Sequence, residues 1–545
     1  MNKVAHYLQE HLLGEVVTSD DARRHFSTDA SIITLVPAMI AYPRNENDLR
    51  KTARFSWQLA ERGRIIPITP RGLGSDLTGA ALGQGIILVF PAHMNRILEL
   101  DSKSGVVTVE PGVNYAKLQQ ALNTHGKFLP PYPASQNYST IGGAVANNKG
   151  GEKSIKYGST LNFIKSLRVV LANGEVIETH RLTKRELNKK MGLSTFEGEL
   201  YRSVDGLIEE NGDLIDSMNI DVTKNTSGYN LPAVKKKDGS FDLTPLIAGS
   251  QGTLGIISEI TLLSESYNPK TTLIAAFFSE LHDAEAAIHK LRKMPKPPSA
   301  MEVVDKNLLQ YVMDNNPNQL KNVVKTPLPK LAMLVEFDDS SDRVQAKLAK
   351  KAKKILENAG AQTRLETDPT ARDELWKIRH SAATLINHSV AGKRALPIIE
   401  DGVVPLDQIS NFFDKVYQLF DKHKLPVAVW GHGGNGNFHV QPFLDLGSLG
   451  DRQKIFRLMD DYYNMIIELG GSLSGQHNDG RLRGPYLEKL FGTEAYELFG
   501  KLKAIFDPYG TMNPGVKLDV TVDDLKPMLR TEYSLQHLHD YMPRT

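Results

Sequence analysis

The sequence predicts an α+β fold in two parts, and three observations carry that prediction. As far as about Ser264 the chain is dense in short β-branched runs separated by glycine-rich loops. From about Thr271 it changes to regular alternation of strand-like and helix-like segments. Its 545 residues, 41% hydrophobic and 23% charged, have the balance of an ordinary globular protein with enough apolar surface for sizeable cores.

The elements follow from local signals. In the first part the strands are Arg64 to Thr69, Gly85 to Phe90, Val106 to Glu110, Leu167 to Ala172 and Ile256 to Leu262. Two helices interrupt them: Glu46 to Arg62, stopped by Gly63, and a second opened by Asn114 as N-cap and closed near Gly126. In the second part Thr271 to Phe278, Leu331 to Phe337, Pro397 to Glu400 and Pro426 to Trp430 read as strands. Asp283 to Lys293, Asp342 to Asn358 and Leu406 to Lys422 read as helices, so a sheet with helices on one face is expected. Five lysines between Lys347 and Lys354 form a solvated stripe opposite Val344, Leu348, Ile355 and Leu356. The segment Lys501 to Thr545, rich in turns and prolines, packs back on the body of the protein.

Composition excludes several classes. With 65 basic and 63 acidic residues the net charge is +2, which steers no nucleic acid. No apolar run approaches the roughly 18 residues of a membrane helix. Met1 to Leu12 carries His6, Gln9, Glu10 and His11 where an export signal would be apolar, so a cytoplasmic protein, able to sit at the inner face of the membrane, is expected. There is no cysteine, which rules out disulfides, a thiol nucleophile and cysteine-held clusters within this chain.

Three glycine-rich segments each abut a strand. In Pro70 to Ala81 three glycines, Ser75, Asp76 and Thr78 allow several N–H groups to converge as an anion nest, with Arg71 as counter-charge. Pro130 to Gly158 adds Ser139, Thr140, Gly142 and Gly143, where absent side chains let a large flat group approach the backbone. Leu246 to Glu259 repeats the device. Together they suit one extended ligand crossing the domain. A fourth segment, GHGGNG at Gly431 to Gly436, matches a dinucleotide fingerprint literally, but Asn437 to Pro442 continues as a strand rather than a helix, so it is a decoy.

These segments resemble the pyrophosphate loop, the TIGG segment and the GSxGTLG segment of flavoproteins of the vanillyl-alcohol-oxidase type, which carry the PCMH-type FAD-binding fold. The branch they resemble is that of FAD-dependent D-lactate, glycolate and D-2-hydroxyglutarate dehydrogenases. PGV at Pro111, EDGVVP at Glu400, GHGGNGNFH at Gly431, SGQHNDG at Ser474 and FDPYGTMNPG at Phe506 fit in order, so the resemblance covers nearly the whole chain. It implies an FAD-binding domain of two α+β subdomains over residues 1–265, a cap over 266–503 whose antiparallel sheet is covered by helices, and a return to the FAD-binding domain over 504–545. It also implies dissociable FAD, with the diphosphate on Arg71, Gly72, Leu73, Gly74, Ser75 and Asp76, and Thr78 beside it. Further contacts would come from Pro133, Ser139, Thr140, Gly142, Gly143, Asn147, Gly150, Tyr157 and Gly158, then Gly252, Thr253, Gly255 and Ile256, with Asn513 near the flavin.

Oxidation of a 2-hydroxy acid needs a base for the hydroxyl proton, a hydride acceptor and a cation for the carboxylate. His477, in a glycine turn, is the candidate base; His432 and His439 flank the other glycine turn. Arg379 resembles the family's carboxylate-binding arginine, assisted by Lys393 or Arg394. Relatives use two histidines and a glutamate to hold a divalent ion, but here Asn435 and Gln476 stand in place of the acids. Two readings stay open: His432 and His439 hold zinc or manganese weakly, or the site is metal-free. The expected activity is oxidation of a D-2-hydroxy acid such as D-lactate or D-2-hydroxyglutarate, with electrons passed to a quinone, cytochrome or iron–sulphur partner. The alternatives are an alcohol, sugar or lactone oxidase of the same fold and a flavin-binding subunit with altered activity; a homodimer is left open.

Overall fold

The computed structural model of the protein describes residues 2–387, 389–390 and 393–538. The end of the predicted returning segment, residues 539–545, lies outside the described residues.

The first half builds two sheets. One has four strands in the order Glu15–Val17, Met39–Tyr42, Ile86–Val89, Ile68–Arg71, the last three parallel. Between Met39–Tyr42 and Ile68–Arg71 runs the helix Glu46–Ala60, whose first turn is closed by Asn45 Oδ1 accepting from Asp48 N at 3.1 Å. It buries Leu49 and Ala53 at helical spacing against the sheet. The second sheet is antiparallel in the order Ile97–Asp101, Val106–Val109, Ile256–Leu263, Ile164–Val170, Val176–Thr179. In Ile256–Leu263 burial alternates residue by residue, the pattern of a strand with one face in the core. Asn114 caps the helix Tyr115–Asn123 as its sequence suggests, Oδ1 accepting from Lys117 N at 3.2 Å.

The second half forms a seven-stranded sheet in the order Gln362–Glu366, Thr272–Phe278, Leu331–Phe337, Ala300–Asp305, Val429–His432, Asn437–Val440, Gly402–Val403, paired antiparallel throughout. Helices cover both faces rather than one. Leu281–Arg292, Asp342–Asn358 and Ile409–His423 pack with Ile274, Ala276 and Val335, whereas Lys306–Asn315 and Pro369–Asn387 pack with Leu273, Ala275 and Leu334. The strands say why: every residue of Ala300–Asp305 and Leu331–Phe337 is buried, so both alternating sets of side chains need cover. Pro397 to Glu400 is not a strand; the short strand is Gly402–Val403. Lysines 347, 350, 351 and 354 are exposed, opposite buried Ala349, Ala352 and Leu356.

The chain's end ties the halves together. The helix Thr493–Phe506, placed in the cap by the sequence reading, buries Leu498, Phe499, Leu502 and Phe506 in the core of the antiparallel five-stranded sheet. Thr511 to Asn513 extends the first sheet at Ile68, and Arg530 donates to the carbonyls of Asp29 and Ser31 at 3.2 Å. Lys517, fully buried, donates to the Gly228 carbonyl at 2.8 Å, to Asn478 Oδ1 at 2.5 Å and to Asp479 Oδ2 at 2.7 Å. Removing this cation alone strands a buried carboxylate, at a cost of about 3–5 kcal/mol. Lys517→Met should therefore lower the melting temperature by several degrees in differential scanning fluorimetry, and the Lys517→Met, Asp479→Asn double variant should recover part of that loss.

Candidate active site

A groove of about 890 Å³ runs over the two sheets of the first half. Arg71, Gly72, Leu73, Gly74, Ser75, Asp76, Ser139, Thr140, Gly142, Gly143, Asn147, Gly252 and Gly255 line it, as do Lys149, Gln251 and Ile257, which the sequence reading missed. Asp76 folds the first loop: its Oδ2 accepts from Thr78 N, Thr78 Oγ1 and Ala80 N, each at 2.9 Å. Thr78 thus lies behind the groove. Arg71 is a brace rather than a free counter-charge, its guanidinium donating to the carbonyls of Thr28 at 2.7 Å and Phe26 at 3.3 Å. Close approach is enforced by glycine: a Cβ at Gly72 would lie 2.4 Å from Thr140 Oγ1, and one at Gly142 2.7 Å from the Pro111 carbonyl oxygen.

The other predicted contacts lie outside the groove lining. Asn513 is fully buried and spent on structure, donating to the carbonyls of Gln251 and Ala80 at 2.8 and 2.9 Å and accepting from Thr69 Oγ1. Tyr157 donates to Asp338 at 3.0 Å, and Thr253 bonds Tyr229 at 2.7 Å. Pro133, Gly158 and Ile256 also stand away from it. Gly150 has a different place: a Cβ there would be 3.0 Å from Gln476 Oε1 and 3.3 Å from Lys224 Nζ, so this loop touches the polar centre itself.

That centre gathers the three histidines. His432 ends the strand Val429–His432 and His439 lies in Asn437–Val440, the two joined through a 3₁₀ turn at Gly433–Asn435. Gly436 closes the turn at φ 64°, where a Cβ would meet the Val404 carbonyl oxygen at 2.3 Å. This hairpin confirms that GHGGNG is no dinucleotide loop. Asp401 builds the facing turn: Oδ2 accepts from Ser474 Oγ at 2.5 Å, Gln476 N at 2.9 Å and His477 N at 2.7 Å. Asn478 adopts φ 66°, a left-handed conformation that asparagine tolerates better than most side chains.

A buried chain of polar groups crosses the centre. Arg379 Nε donates to Glu302 Oε2 at 2.6 Å, and Glu302 Oε1 takes His432 Nδ1 at 2.6 Å. Glu400 bonds His477 Nδ1 and accepts from Arg483 at 3.1 Å, with His439 Nδ1 3.5 Å away. Burial pushes the His432 and His439 pKa values down, so both imidazoles are neutral. Burial would raise the Glu400 pKa, but His477, His439 and Arg483 outweigh it and hold the carboxyl well below its usual range. Burial lowers Lys224 to about 8. Arg379, only 6% exposed, is thus paired with Glu302 rather than presented as a free fork, and Lys393 and Arg394 are exposed. Of these groups the sequence pattern signalled Glu302 weakly, as a carboxylate between apolar residues of a strand, and gave no sign of Lys224 or Arg483.

The groove fits a dinucleotide: it is long, glycine-floored and bordered by hydroxyls and amides. A divalent cation fits less well. Among the described residues, Glu400, His439 and His477 have donor atoms within 4.8 Å of one another, but Glu400 is already shared by His477 and the Arg483 cation. Between His432 and His439 stands the Gln476 amide, Nε2 2.9 and 3.5 Å from their Nε2 atoms.

Comparison with known proteins gives two family matches. Residues 37–180 match the FAD binding domain and residues 268–516 the C-terminal domain of FAD linked oxidases. The chain is 30% identical to D-2-hydroxyglutarate dehydrogenase of Escherichia coli (strain K12), over 93% of this chain and 50% of that protein. It is 28% identical to glycolate oxidase subunit GlcD of Bacillus subtilis (strain 168), over 92% of each. D-lactate dehydrogenase of Archaeoglobus fulgidus is 26% identical over 88% of this chain and 90% of that one. The chain spans about half the length of the D-2-hydroxyglutarate dehydrogenases it matches. Among solved structures, p-cresol methylhydroxylase with substrate bound superposes with TM-score 0.69 at 14% identity, over 96% of this chain and 97% of that one. The isoeugenol complex of 4-ethylphenol oxidase from Gulosibacter chungangensis gives 0.65 at 16% identity, over 96% and 98%. These two share the fold.

The groove yields a direct test of cofactor seating. A Cβ at Gly143 would have only Thr140 Oγ1, at 3.2 Å, within 4 Å. Gly143→Val should therefore fill the groove without breaking the fold: flavin absorbance of the purified protein should disappear while its far-ultraviolet circular dichroism stays unchanged. The chain thus carries two matched parts, the FAD binding domain and the C-terminal domain of FAD linked oxidases, with the glycine-floored groove in the first.

Proposed function

We propose that the protein oxidises a D-2-hydroxy acid, of the D-lactate or D-2-hydroxyglutarate class, to the 2-oxo acid. The observation that carries this reading is the arrangement of His477: its ring is fixed by a buried carboxylate on one nitrogen and its backbone by a second carboxylate. The matched relatives bear the names D-2-hydroxyglutarate dehydrogenase, D-lactate dehydrogenase and glycolate oxidase subunit, which agrees with that substrate class.

FAD bound in the groove supplies a two-electron acceptor for the hydride that leaves the substrate's Cα. The rest of the work falls to the chain. Glu400, ionised, only accepts, so His477 Nδ1 carries the proton and Nε2 keeps the lone pair that takes the substrate hydroxyl proton. Asp401 holds the His477 backbone in place. The substrate carboxylate is drawn by Lys224, nine-tenths buried, where charge is weakly screened, while Arg379 stays paired with Glu302. The groove-lining residues from Gly72 to Asp76, with Ser139, Thr140, Gly142, Gly143 and Asn147, hold the cofactor. Electrons then pass to a quinone, a cytochrome or an iron–sulphur partner, since no cysteine in this chain can hold a cluster.

Two measurements test the reading. Under anaerobic conditions D-lactate or D-2-hydroxyglutarate should bleach the flavin absorbance while the L-enantiomers leave it intact; bleaching by neither enantiomer of any 2-hydroxy acid overturns it. His477→Asn should keep full flavin content yet lower the anaerobic bleaching rate roughly 100- to 10,000-fold, the range for loss of a general base.

A further inference from the structure

We propose that this active centre is metal-independent, and that the Gln476 amide, locked by Lys224, is what makes it so. The inference concerns the same centre as the proposed oxidation but does not depend on which acid is oxidised.

Two neighbours orient the amide independently. Lys224 Nζ lies 3.3 Å from Gln476 Oε1, and an ammonium can only donate, so the oxygen must face it. On the other side, His432 donates its Nδ1 proton to Glu302, which is also bound to Arg379, so His432 Nε2 is an acceptor. The nitrogen of Gln476 must therefore face His432, at 2.9 Å, with His439 Nε2 at 3.5 Å. Both constraints give the same orientation, and it places N–H donors where a cation held by the two imidazoles would need empty space and lone pairs.

Binding a cation through His432, His439 and Gln476 Oε1 would require the amide to turn over. Its NH2 group would then meet the Lys224 ammonium, donor against donor, in a site closed to water. A glutamate escapes this conflict, because one carboxylate oxygen can accept from the lysine while the other faces the metal. Charge points the same way. Lys224, Arg379 and Arg483 already balance Glu302, Glu400 and Asp401, and Lys149 beside the last two is matched by Glu152 beside Glu302 and Arg379. A divalent ion would enter with its charge uncompensated.

The test uses flavin-loaded, tag-free protein purified without chelators. Metal content by mass spectrometry should be far below one equivalent, and calorimetric titration with Zn²⁺ or Mn²⁺ should reveal no tight site. Gln476→Glu should bind roughly one zinc per chain, as expected for two imidazoles and a carboxylate. Lys224→Met, which frees the amide to turn, should raise zinc affinity roughly 10- to 100-fold over the wild type, the usual scale for changing a group behind a ligand. Stoichiometric metal in the wild type overturns the proposal, as does Gln476→Glu protein that holds flavin but takes up no zinc. Should that variant fail to hold flavin, Lys224→Met decides on the same titration, an unchanged affinity overturning the lock. Because metal content is read apart from flavin bleaching, failure here is distinguishable from failure of the oxidation reading.

Discussion

Two adjacent carboxylates, Glu400 and Asp401, are buried almost completely, and the rest of the centre is arranged to make that burial tolerable. An isolated ionised carboxylate in such surroundings is costly by several kcal/mol. Asp401 compensates by accepting from two backbone N–H groups and the Ser474 hydroxyl, and from the Asn437 amide at 3.0 Å. Glu400 compensates with Arg483, His477 and His439. The bonds that satisfy these acids are the same bonds that aim the histidines, so the centre's stability and its geometry are one requirement. Asp401 accepts a left-handed backbone, φ 75°, to meet it.

The centre also depends on the junction between the two halves. Thr223 donates to the Asn435 carbonyl at 2.6 Å and Thr226 N to the Ser474 carbonyl at 2.9 Å, linking a loop of the first half to both histidine-bearing turns. Lys224 lies between those threonines. Asn435 turns its amide to Thr223 at 3.3 Å. The cap is therefore no free-standing module. Its polar residues reach working geometry only when the first half supplies Lys224 and Gly150, and when the chain's end supplies Lys517.

Much of this was legible in the sequence where chemistry and conformation coincide. Asn114 announces a helix start because its side chain satisfies one of the first N–H groups, and the glycine loops announce the groove because only absent side chains allow such approach. The histidine turns stand out because glycine brackets them. What could not be read was partnership across long separations. Arg71 and Arg379 looked like free anion ligands; one is spent on Phe26 and Thr28 carbonyls, the other on a glutamate 77 residues away. Thr78 and Asn513, assigned to the cofactor, support the groove from behind, a distinction that depends on which face of a loop meets the ligand. The cap's helices were expected on one face because single strands do not reveal that both of their faces are covered.

The amide at position 476 shows how one such long-range partnership decides chemistry that residue type leaves open. From sequence alone, glutamine in place of glutamate weakens a ligand without excluding it. The structure adds two fixed neighbours, an ammonium that only donates and an imidazole whose other nitrogen is already committed. An amide has one accepting and one donating end, so it can satisfy these neighbours in a single orientation, whereas a carboxylate could satisfy the lysine and still offer a lone pair. The amide thus satisfies Lys224 and His432 together without a cation between them. Lys224 is the residue that turns a modest change of ligand strength into a change of kind.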